Sequence, residues 1–464
     1  SMAAPHVSGG IALLADYFEG QLGNTEILQR LFTTANKSGI YSDSEIYGQG
    51  LMDLNAATQP VGTAMIATSG SNLSNLTLKE EGSYIGFVGP AFGNSISEKL
   101  SELSYVVFDE LGAPFKRSFS KRILNNIPNI DWLTSFQLNP NKRITQRSMN
   151  MENGITMHLG INNYLANFHA TSLWADTETK LAYFSFEQNL TEKSKLFFGN
   201  GTSPNTYISA KKSFNHKGNP FLNYVADGSY AGIDINLSPK KALLFSFFQG
   251  SHEDNKTFVN NIDKNKGLLF EIRDNFNDSS MSYQLGVTKD NSNFSGVSSE
   301  GGFGSPDESL TSFVGLEFFK ARKGLLFKSA LHLGQSRSNF NQTGMIRDLD
   351  DTFFSSFDLG IYKENLFTNS DSLGFEVFQP LRSEYANIRL QIPKGRTMDR
   401  QILFKDIELD LTPSGRQINS QLVYRVAGNY FSLFGNIGFT RNQFHNKGNK
   451  IEPYFQIDIE LNLK

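Results

Sequence analysis

Strict alternation of apolar and polar residues over most of the chain is the feature that most restricts its fold. From about residue 150 onward the apolar period is two, which predicts β-strands with one apolar and one polar face. The clearest example is the last segment, where Phe455, Ile457 and Ile459 alternate with polar or charged residues. Further examples are 281–287, 357–361, 388–392, 407–411 and 431–439. Roughly 12 to 14 such segments fit between residues 150 and 464, which suits strands of about ten residues with turns and longer loops.

Two β architectures share this pattern and differ in the medium that meets the apolar face. In an outer-membrane-type antiparallel β-barrel, the apolar face meets lipid and the polar face lines a wet interior. In a soluble β-sandwich, the apolar faces of two sheets pack together. Short turns that alternate with longer polar connections favour the barrel, as do tyrosines expected to form interfacial girdles near strand ends. Those tyrosines are Tyr164, Tyr362, Tyr430 and Tyr454.

Composition excludes several other classes of protein. The 43 Lys and Arg residues against 46 Asp and Glu give a net charge of −3, so nucleic-acid binding has no electrostatic support. The chain has no Cys, which removes disulfides, thiolate metal sites and cysteine nucleophiles. The seven His residues lack metal-site spacing, and phosphate-loop and dinucleotide motifs are absent. We therefore expect no cofactor and no metal.

The first 62 residues have a different, helical pattern. Apolar residues at Val7, Ile11 and Leu14 share one helix face, and a second helical pattern covers 25–36. Gly9 and Gly10 lie inside the first pattern and each costs roughly 1 kcal/mol relative to Ala, which predicts close packing against another element. A basic start and an apolar signal core are both missing, so we expect this segment to come from the middle of a longer domain.

The residues Ser1-Met2-Ala3-Ala4-Pro5-His6-Val7-Ser8-Gly9 resemble the segment around the nucleophilic serine of subtilisin-like serine proteases, the subtilases. The block Tyr47-Gly48-Gln49-Gly50-Leu51-Met52-Asp53 is similar to the closing motif of the same catalytic domain, in the same order and at a fitting distance. The segment Val107-Phe108-Asp109-Glu110-Leu111-Gly112-Ala113-Pro114-Phe115 resembles a motif that follows the protease domain in some proteobacterial surface subtilases, with Ala113 where Arg is usual.

This resemblance implies that Ser1 is the nucleophile of a serine-type endopeptidase. The His base, the Asp that orients it and an Asn oxyanion donor would all lie upstream of Ser1, so the chain alone is expected to be inert. His6 corresponds to a packing residue of that family rather than to the base, and we expect Asp53 to cap a helix. A serine at a helix N-terminus suits acyl transfer, because the helix dipole and the serine's own amide favour an oxyanion.

A subtilase segment followed by alternating strands resembles a subtilase-type autotransporter, in which a barrel of about 12 strands carries the protease through the outer membrane. The expected fold is therefore mainly β, with an outer-membrane-type barrel preceded by a small α-helical remnant of a subtilase α/β domain. The expected domains are 1–62, the peptidase remnant; 63–150, a linker or connecting region; and 151–464, the barrel.

The expected location of such a protein is the outer membrane or cell surface of a Gram-negative bacterium. Its expected partners are protein or peptide substrates, outer-membrane lipid and the outer-membrane assembly machinery. The alternative is a soluble β-rich binding or targeting domain of a secreted protease. The chain ends in Leu463-Lys464 where such barrels usually have an aromatic residue, which leaves the barrel end and its recognition open.

Overall fold

A computed structural model describes residues 1–87, 90–124, 143–151, 154–165, 177–201, 218–224, 227–251, 265–291, 293–294, 296–340, 343–427, 431–448 and 451–461. The helices are α1 (Ala3–Tyr17), α2 (Asn24–Thr34), α3 (Ser44–Tyr47), α4 (Leu54–Ala57) and α5 (Ser95–Ser101). Of these, α1, α2 and α4 match the helical patterns of the sequence, whereas α3 was not predicted. Over the described residues, no helix has both the length and the apolar character needed to cross a membrane.

Two kinds of strand follow the helices. Short strands precede residue 125: β1 (Met65–Ile66), β2 (Leu78–Lys79), β3 (Tyr84–Phe87), β4 (Ser104–Phe108), β5 (Pro114–Ser118) and β6 (Ile123–Leu124). The strands after residue 142 are mostly longer: β7 (Arg143–Asn150), β8 (Ile155–Leu165), β9 (Thr177–Asn189), β10 (Ser194–Asn200), β11 (Asp227–Ser238), β12 (Lys241–Ser251), β13 (Asn265–Asn275), β14 (Ser279–Asp290), β15 (Asn293–Phe294), β16 (Val297–Glu300), β17 (Pro306–Arg322), β18 (Leu325–Phe340), β19 (Ile346–Leu349), β20 (Thr352–Glu364), β21 (Asp371–Tyr385), β22 (Asn387–Arg396), β23 (Ile402–Asp410), β24 (Ile418–Ala427), β25 (Phe431–Arg441) and β26 (Ile451–Leu461).

Fifteen of these strands form one antiparallel sheet, in the order β26-β25-β24-β21-β20-β18-β17-β14-β13-β12-β11-β10-β9-β8-β7. The expectation of a mainly β fold built on a large antiparallel sheet is confirmed, with 15 strands in place of about 12. Among the described residues β7 pairs only with β8 and β26 only with β25, so the sheet keeps two open edges.

The connections between neighbouring strands of this large sheet alternate in length. The short connections are 151–154, 190–193, 239–240, 276–278, 323–324, 365–370 and 428–430. The long connections are 166–176, 201–226, 252–264, 291–305, 341–351, 386–417 and 442–450. The strand ends joined by short connections are therefore all at one end of the antiparallel sheet, and those joined by long connections are at the other, as the sequence predicted.

Glycine and aromatic residues pair across the strands of the large sheet. A Cβ built on Gly286 would lie 2.2 Å from the ring of Phe313, so only glycine lets that ring cover the neighbouring strand. The same arrangement occurs at Tyr183 over Gly160, Tyr230 over Gly199, Phe197 over Gly232, Phe248 over Gly267, Tyr362 over Gly374 and Tyr454 over Gly438. These pairs account for part of the high Gly and Phe content of the chain.

Three small sheets lie at the end of the large sheet that carries the long connections. One, in the order β2-β1-β4-β5, lies entirely within the region before residue 125. Another, in the order β15-β16-β3-β6, joins that region to connection 291–305. The third, β19-β22-β23, is formed by connections 341–351 and 386–417. The alternating segments 388–392 and 407–411 thus belong to this small sheet and not to the large one.

The predicted domain boundaries at 62 and 150 stay a prediction. The helices of the first segment end at Ala57, and the large sheet begins at Arg143. One buried apolar cluster nevertheless contains Leu14, Phe119, Phe221 and Leu381, so it includes side chains from all three predicted domains. Residues 63–124 form strands and buried core, which is more structure than a linker composition suggests.

Candidate functional site

Ser1 lies just before α1 and is exposed to solvent. Helix α1 has 15 residues and begins at Ala3, which places the serine at the positive end of its dipole. Within the described part of the chain, the Ser1 hydroxyl makes no hydrogen bond to a base. The catalytic role of Ser1 therefore stays a prediction that depends on residues outside this chain.

His6 and Asp53 have local structural contacts. The Nδ1 atom of His6 lies 2.9 Å from the carbonyl oxygen of Met2, one turn earlier in the chain. The Oδ1 atom of Asp53 accepts a hydrogen bond from the Ala56 amide at 2.9 Å and so caps α4. The capping role predicted for Asp53 is confirmed.

The close packing predicted from the two helix glycines is present at one of them. A Cβ on Gly10 would lie 2.5 Å from the sulfur of Met52, in the block that resembles the closing motif. Gly9 has no atom within 4 Å of such a Cβ. The two sequence blocks that carry the subtilase resemblance are thus in direct contact around Gly10.

The helical segment exposes several large apolar side chains. They include Met2, Leu13, Tyr17, Ile40 and Ile46. Single exposed apolar residues are ordinary, but several within one short segment indicate a surface that packs against a partner.

A fully buried ion pair joins α2 to the segment 107–115. Arg30 donates to Asp109 Oδ2 at 2.7 Å, and both side chains are almost completely inaccessible, at 1% and 0%. The guanidinium also donates to the carbonyls of Ala57 and Gln59. The Asp109 carboxylate accepts further bonds from the amides of residues 61, 111 and 113. Asp109, in the segment 107–115, is thus the buried counter-ion of Arg30 in the helical segment.

A second ion pair joins α2 to the long connection 386–417. Arg396 donates through two nitrogens to Glu26, at 2.9 and 2.6 Å, and also to the carbonyl of Gly112. Arg400 donates to the same carboxylate at 2.9 Å. Burial alone would raise the pKa of Glu26, but the hydrogen bonds from Arg396 and the Gly23 amide outweigh it and hold that pKa below its usual value. This ion pair therefore fixes α2 to the connection that forms the small sheet β19-β22-β23.

The large sheet is apolar on its accessible face and polar on its enclosed face. On β14, Leu285 is 58% exposed whereas the adjacent Gln284 is 3% exposed. Exposed apolar residues on other strands include Phe245, Leu268, Leu316, Leu331, Leu333, Leu359, Phe375, Ile437 and Ile457. Buried polar residues on those or neighbouring strands include Ser246, Glu271, Glu317, Lys328, His332, Ser356, Glu376 and Asn436. A β-sandwich in water buries the apolar face, so the described strands have the opposite arrangement.

The tyrosine girdle predicted from the sequence is wrong where it is described. The hydroxyl of Tyr362 donates to Glu376, and that of Tyr454 donates to Gln421 at 2.9 Å, so both side chains turn towards the enclosed face. The reason is the strand period, because each tyrosine occupies the polar parity of its strand. The side chain of Tyr164 and the whole of Tyr430 lie outside the described residues.

Hydrogen-bonded charge fills the enclosed face in two clusters. In one cluster Gln284 Nε2 donates to Glu271 at 2.8 Å and to Glu317 at 3.2 Å. In the other cluster Lys328 lies 3.0 Å from both Asp358 and Glu376. Buried charges need such partners, because an unpaired charge away from water is costly. No group of His, Asp and Glu side chains suited to a metal ion occurs among the described residues.

Aromatic rings fill the same interior near the long connections. Phe221, from connection 201–226, is fully buried and stacks on Phe313 with ring centroids 5.0 Å apart. Phe354 meets it edge-on at 6.4 Å, and Phe92 from the first segment lies 6.0 Å from Phe354. A long connection and the region before residue 125 thus both enter the enclosed side of the sheet.

No protein-family model matches the chain, and no curated protein matches it. Solved structures that are similar include OmpT, an outer membrane protein of Vibrio cholerae, at 9% identity over 68% of this chain and 85% of that one, with a TM-score of 0.37. Pseudomonas putida OprB matches at 11% identity over 66% and 81%, with a TM-score of 0.38. An anion-selective porin from Comamonas acidovorans matches at 9% identity over 69% and 89%, with a TM-score of 0.37.

Proposed function

We propose that the large sheet is the wall of an outer-membrane β-barrel that anchors and exports a subtilisin-like protease. The observation that carries the membrane part is the inverted burial of the sheet, with apolar residues accessible and charged residues enclosed. In water such a surface is unfavourable at about 25 cal/mol per Å² of apolar area, whereas lipid removes that cost. Outer-membrane barrels have this arrangement of an apolar outside and a polar inside.

The alternation of connections supports an orientation in the membrane. In barrels of this class the short turns face the periplasm and the long loops face outward. The region before residue 125 contacts the long connections, through the pairing of β3 with β16 and through the Glu26–Arg396 ion pair. The helical segment with Ser1 is therefore placed, in this proposal, on the cell surface.

The protease part of the proposal rests on the resemblance of the segments around Ser1 and Tyr47. Ser1 would attack a peptide carbonyl, an upstream His would accept its proton, and an upstream Asp would orient that His. Contact between the two resembling blocks at Gly10, and the exposed apolar side chains of the same segment, are consistent with the end of a larger domain. Substrates would be proteins or peptides, and the barrel would depend on the outer-membrane assembly machinery.

The membrane assignment is tested by the behaviour of the whole chain in and out of detergent. We expect it to fractionate with outer membranes, to need detergent for solubility and to migrate differently on gels before and after boiling. Two adjacent substitutions form a matched pair for this test. Gln284→Leu places an apolar side chain on the enclosed face, and Leu285→Gln places a polar side chain on the accessible face that would meet lipid. A chain that stays monodisperse without detergent would instead support the soluble binding domain.

The protease assignment is tested separately on the coding sequence upstream of Ser1. Gly-Thr directly before Ser1, with Asp, His and Asn motifs further upstream, is the expected result. A fluorophosphonate probe should label the longer protein and fail to label its Ser1→Ala variant. Labelling of Ser1 in the present chain by itself would contradict the need for an upstream base.

A further inference from the structure

A groove of about 300 Å³ lies at the short-connection end of the large sheet, beside the turn between β17 and β18. Its lining includes Leu325, Phe327 and Ile361, whose side chains are on the accessible apolar face of the sheet. The rest of the lining is the buried Leu326 and three cationic residues, Lys320, Arg322 and Lys323. The groove therefore has an apolar floor and a cationic rim at the point where the apolar band of the sheet ends.

A fourth cation lies beside this rim. Lys363, at the neighbouring end of β20, donates from Nζ to the carbonyl of Lys323 at 3.2 Å. In the described part of the chain, no carboxylate lies within 4.0 Å of the side-chain nitrogens of these four residues. Four cations from two adjacent strand pairs are thus gathered without a counter-ion.

Two cations next to other short connections have carboxylate partners, whereas Lys193 and Lys240, inside those connections, have no carboxylate within 4.0 Å among the described residues but lie singly. Lys195, next to connection 190–193, binds Glu187 at 2.6 Å. Lys241, next to connection 239–240, lies 3.5 Å from Asp274. Long cationic side chains commonly extend from the edge of an apolar band to water, and that behaviour alone does not gather them. What distinguishes the β17–β18 groove is the clustering of unpaired cations directly above exposed apolar side chains.

We propose that this groove binds the headgroup of an anionic glycerophospholipid. The phosphate would be held by Arg322, whose guanidinium suits phosphate oxygens, together with the neighbouring lysines. The acyl chains would lie along Leu325, Phe327 and Ile361. A free phosphate ion would leave those apolar side chains uncovered, which is why a lipid fits better. The site rests on the membrane function proposed above, and the short connections place it in the periplasmic leaflet.

The test is native mass spectrometry of the full chain in neutral detergent with added phosphatidylglycerol, or with phosphatidylcholine of the same acyl chains. We expect phosphatidylglycerol to be retained preferentially. The Arg322→Gln/Lys323→Gln variant should weaken that retention about 25-fold, at roughly fivefold per cation. The Lys195→Gln/Lys241→Gln variant removes the same charge elsewhere on the short-connection end and should weaken retention less than about threefold.

Two results would overturn the lipid site alone, provided that both variants keep heat-modifiable migration. One is equal retention of the two lipids by the unmodified chain. The other is equal loss in both variants, which would indicate a diffuse charge effect. Complete displacement by millimolar inorganic phosphate would be a third such result, because the groove would then bind a free anion and not a lipid. A chain that lacks heat-modifiable migration and is soluble without detergent would overturn the membrane function itself.

Discussion

Replacing Arg30 by Met tests whether buried charge holds the helical segment to the strands that follow it. Met keeps an apolar side chain between Phe18 and Phe115, whose rings lie 5.1 and 5.2 Å from the guanidinium carbon. The substitution removes the ion-pair partner of the Asp109 carboxylate, which is 0% exposed. It also leaves the carbonyls of Ala57 and Gln59 without the hydrogen bonds that Arg30 donates. Breaking one side of a buried ion pair costs about 3–5 kcal/mol.

The assay is hydrogen exchange of the amides in α2 and β4, which reports local opening of this region. A loss of about 4 kcal/mol corresponds to exchange that is roughly a thousandfold faster. Arg117→Met is the matched control, since Arg117 is 34% exposed and lies 3.4 Å from Glu80. Without Arg117, the Glu80 carboxylate keeps Arg122 and the Tyr105 hydroxyl as partners, so the control should change exchange by no more than about fivefold.

A second substitution separates the ion pair from simple loss of packing. In Arg30→Met/Asp109→Asn the buried site carries no charge, and the Asn oxygen can still accept from the amides of residues 111 and 113. We expect the double variant to exchange more slowly than Arg30→Met alone. An Arg30→Met chain whose exchange rises less than tenfold, or a double variant that opens faster than the single one, would refute the reasoning.

Two further predictions concern the large sheet and a long connection. Gly286→Ala should lower the temperature at which heat-modifiable migration is lost, because its Cβ would lie 2.2 Å from an aromatic ring, whereas Gly435→Ala, with 3.7 Å of space, should leave it unchanged. Burial, aided by the nearby Arg382 and Arg416, lowers the pKa of His445 in connection 442–450 to about 4. As pH drops, the unfolded chain binds the proton first, so the free energy of unfolding should fall by on the order of 3 kcal/mol between about pH 6.5 and 4. The substitution His445→Gln should flatten this part of the pH–stability profile.

The sequence was sufficient for features that depend on neighbours along the chain. Helical spacing predicted α1 and α2, the polar residue before α4 proved to be its cap, and period two located several strands of the large sheet. These features follow from backbone geometry and local hydrogen bonds, which leave a direct pattern in the sequence.

Only the tertiary structure decided which medium each alternating face meets. Leu285 and Ile388 occur in segments of the same period, yet Leu285 is 58% exposed on the large sheet and Ile388 is 2% exposed in a small one. Period two determines which side chains share a face, but it does not determine what covers that face.

The same limit applies to the contacts between distant segments. Chain folding across tens or hundreds of residues brings Arg30 to Asp109 and Glu26 to Arg396. It also gathers the cations of the β17–β18 groove away from any carboxylate among the described residues. No local spacing records such a contact, because a side chain's burial and counter-ion depend on which strands the sheet places beside it.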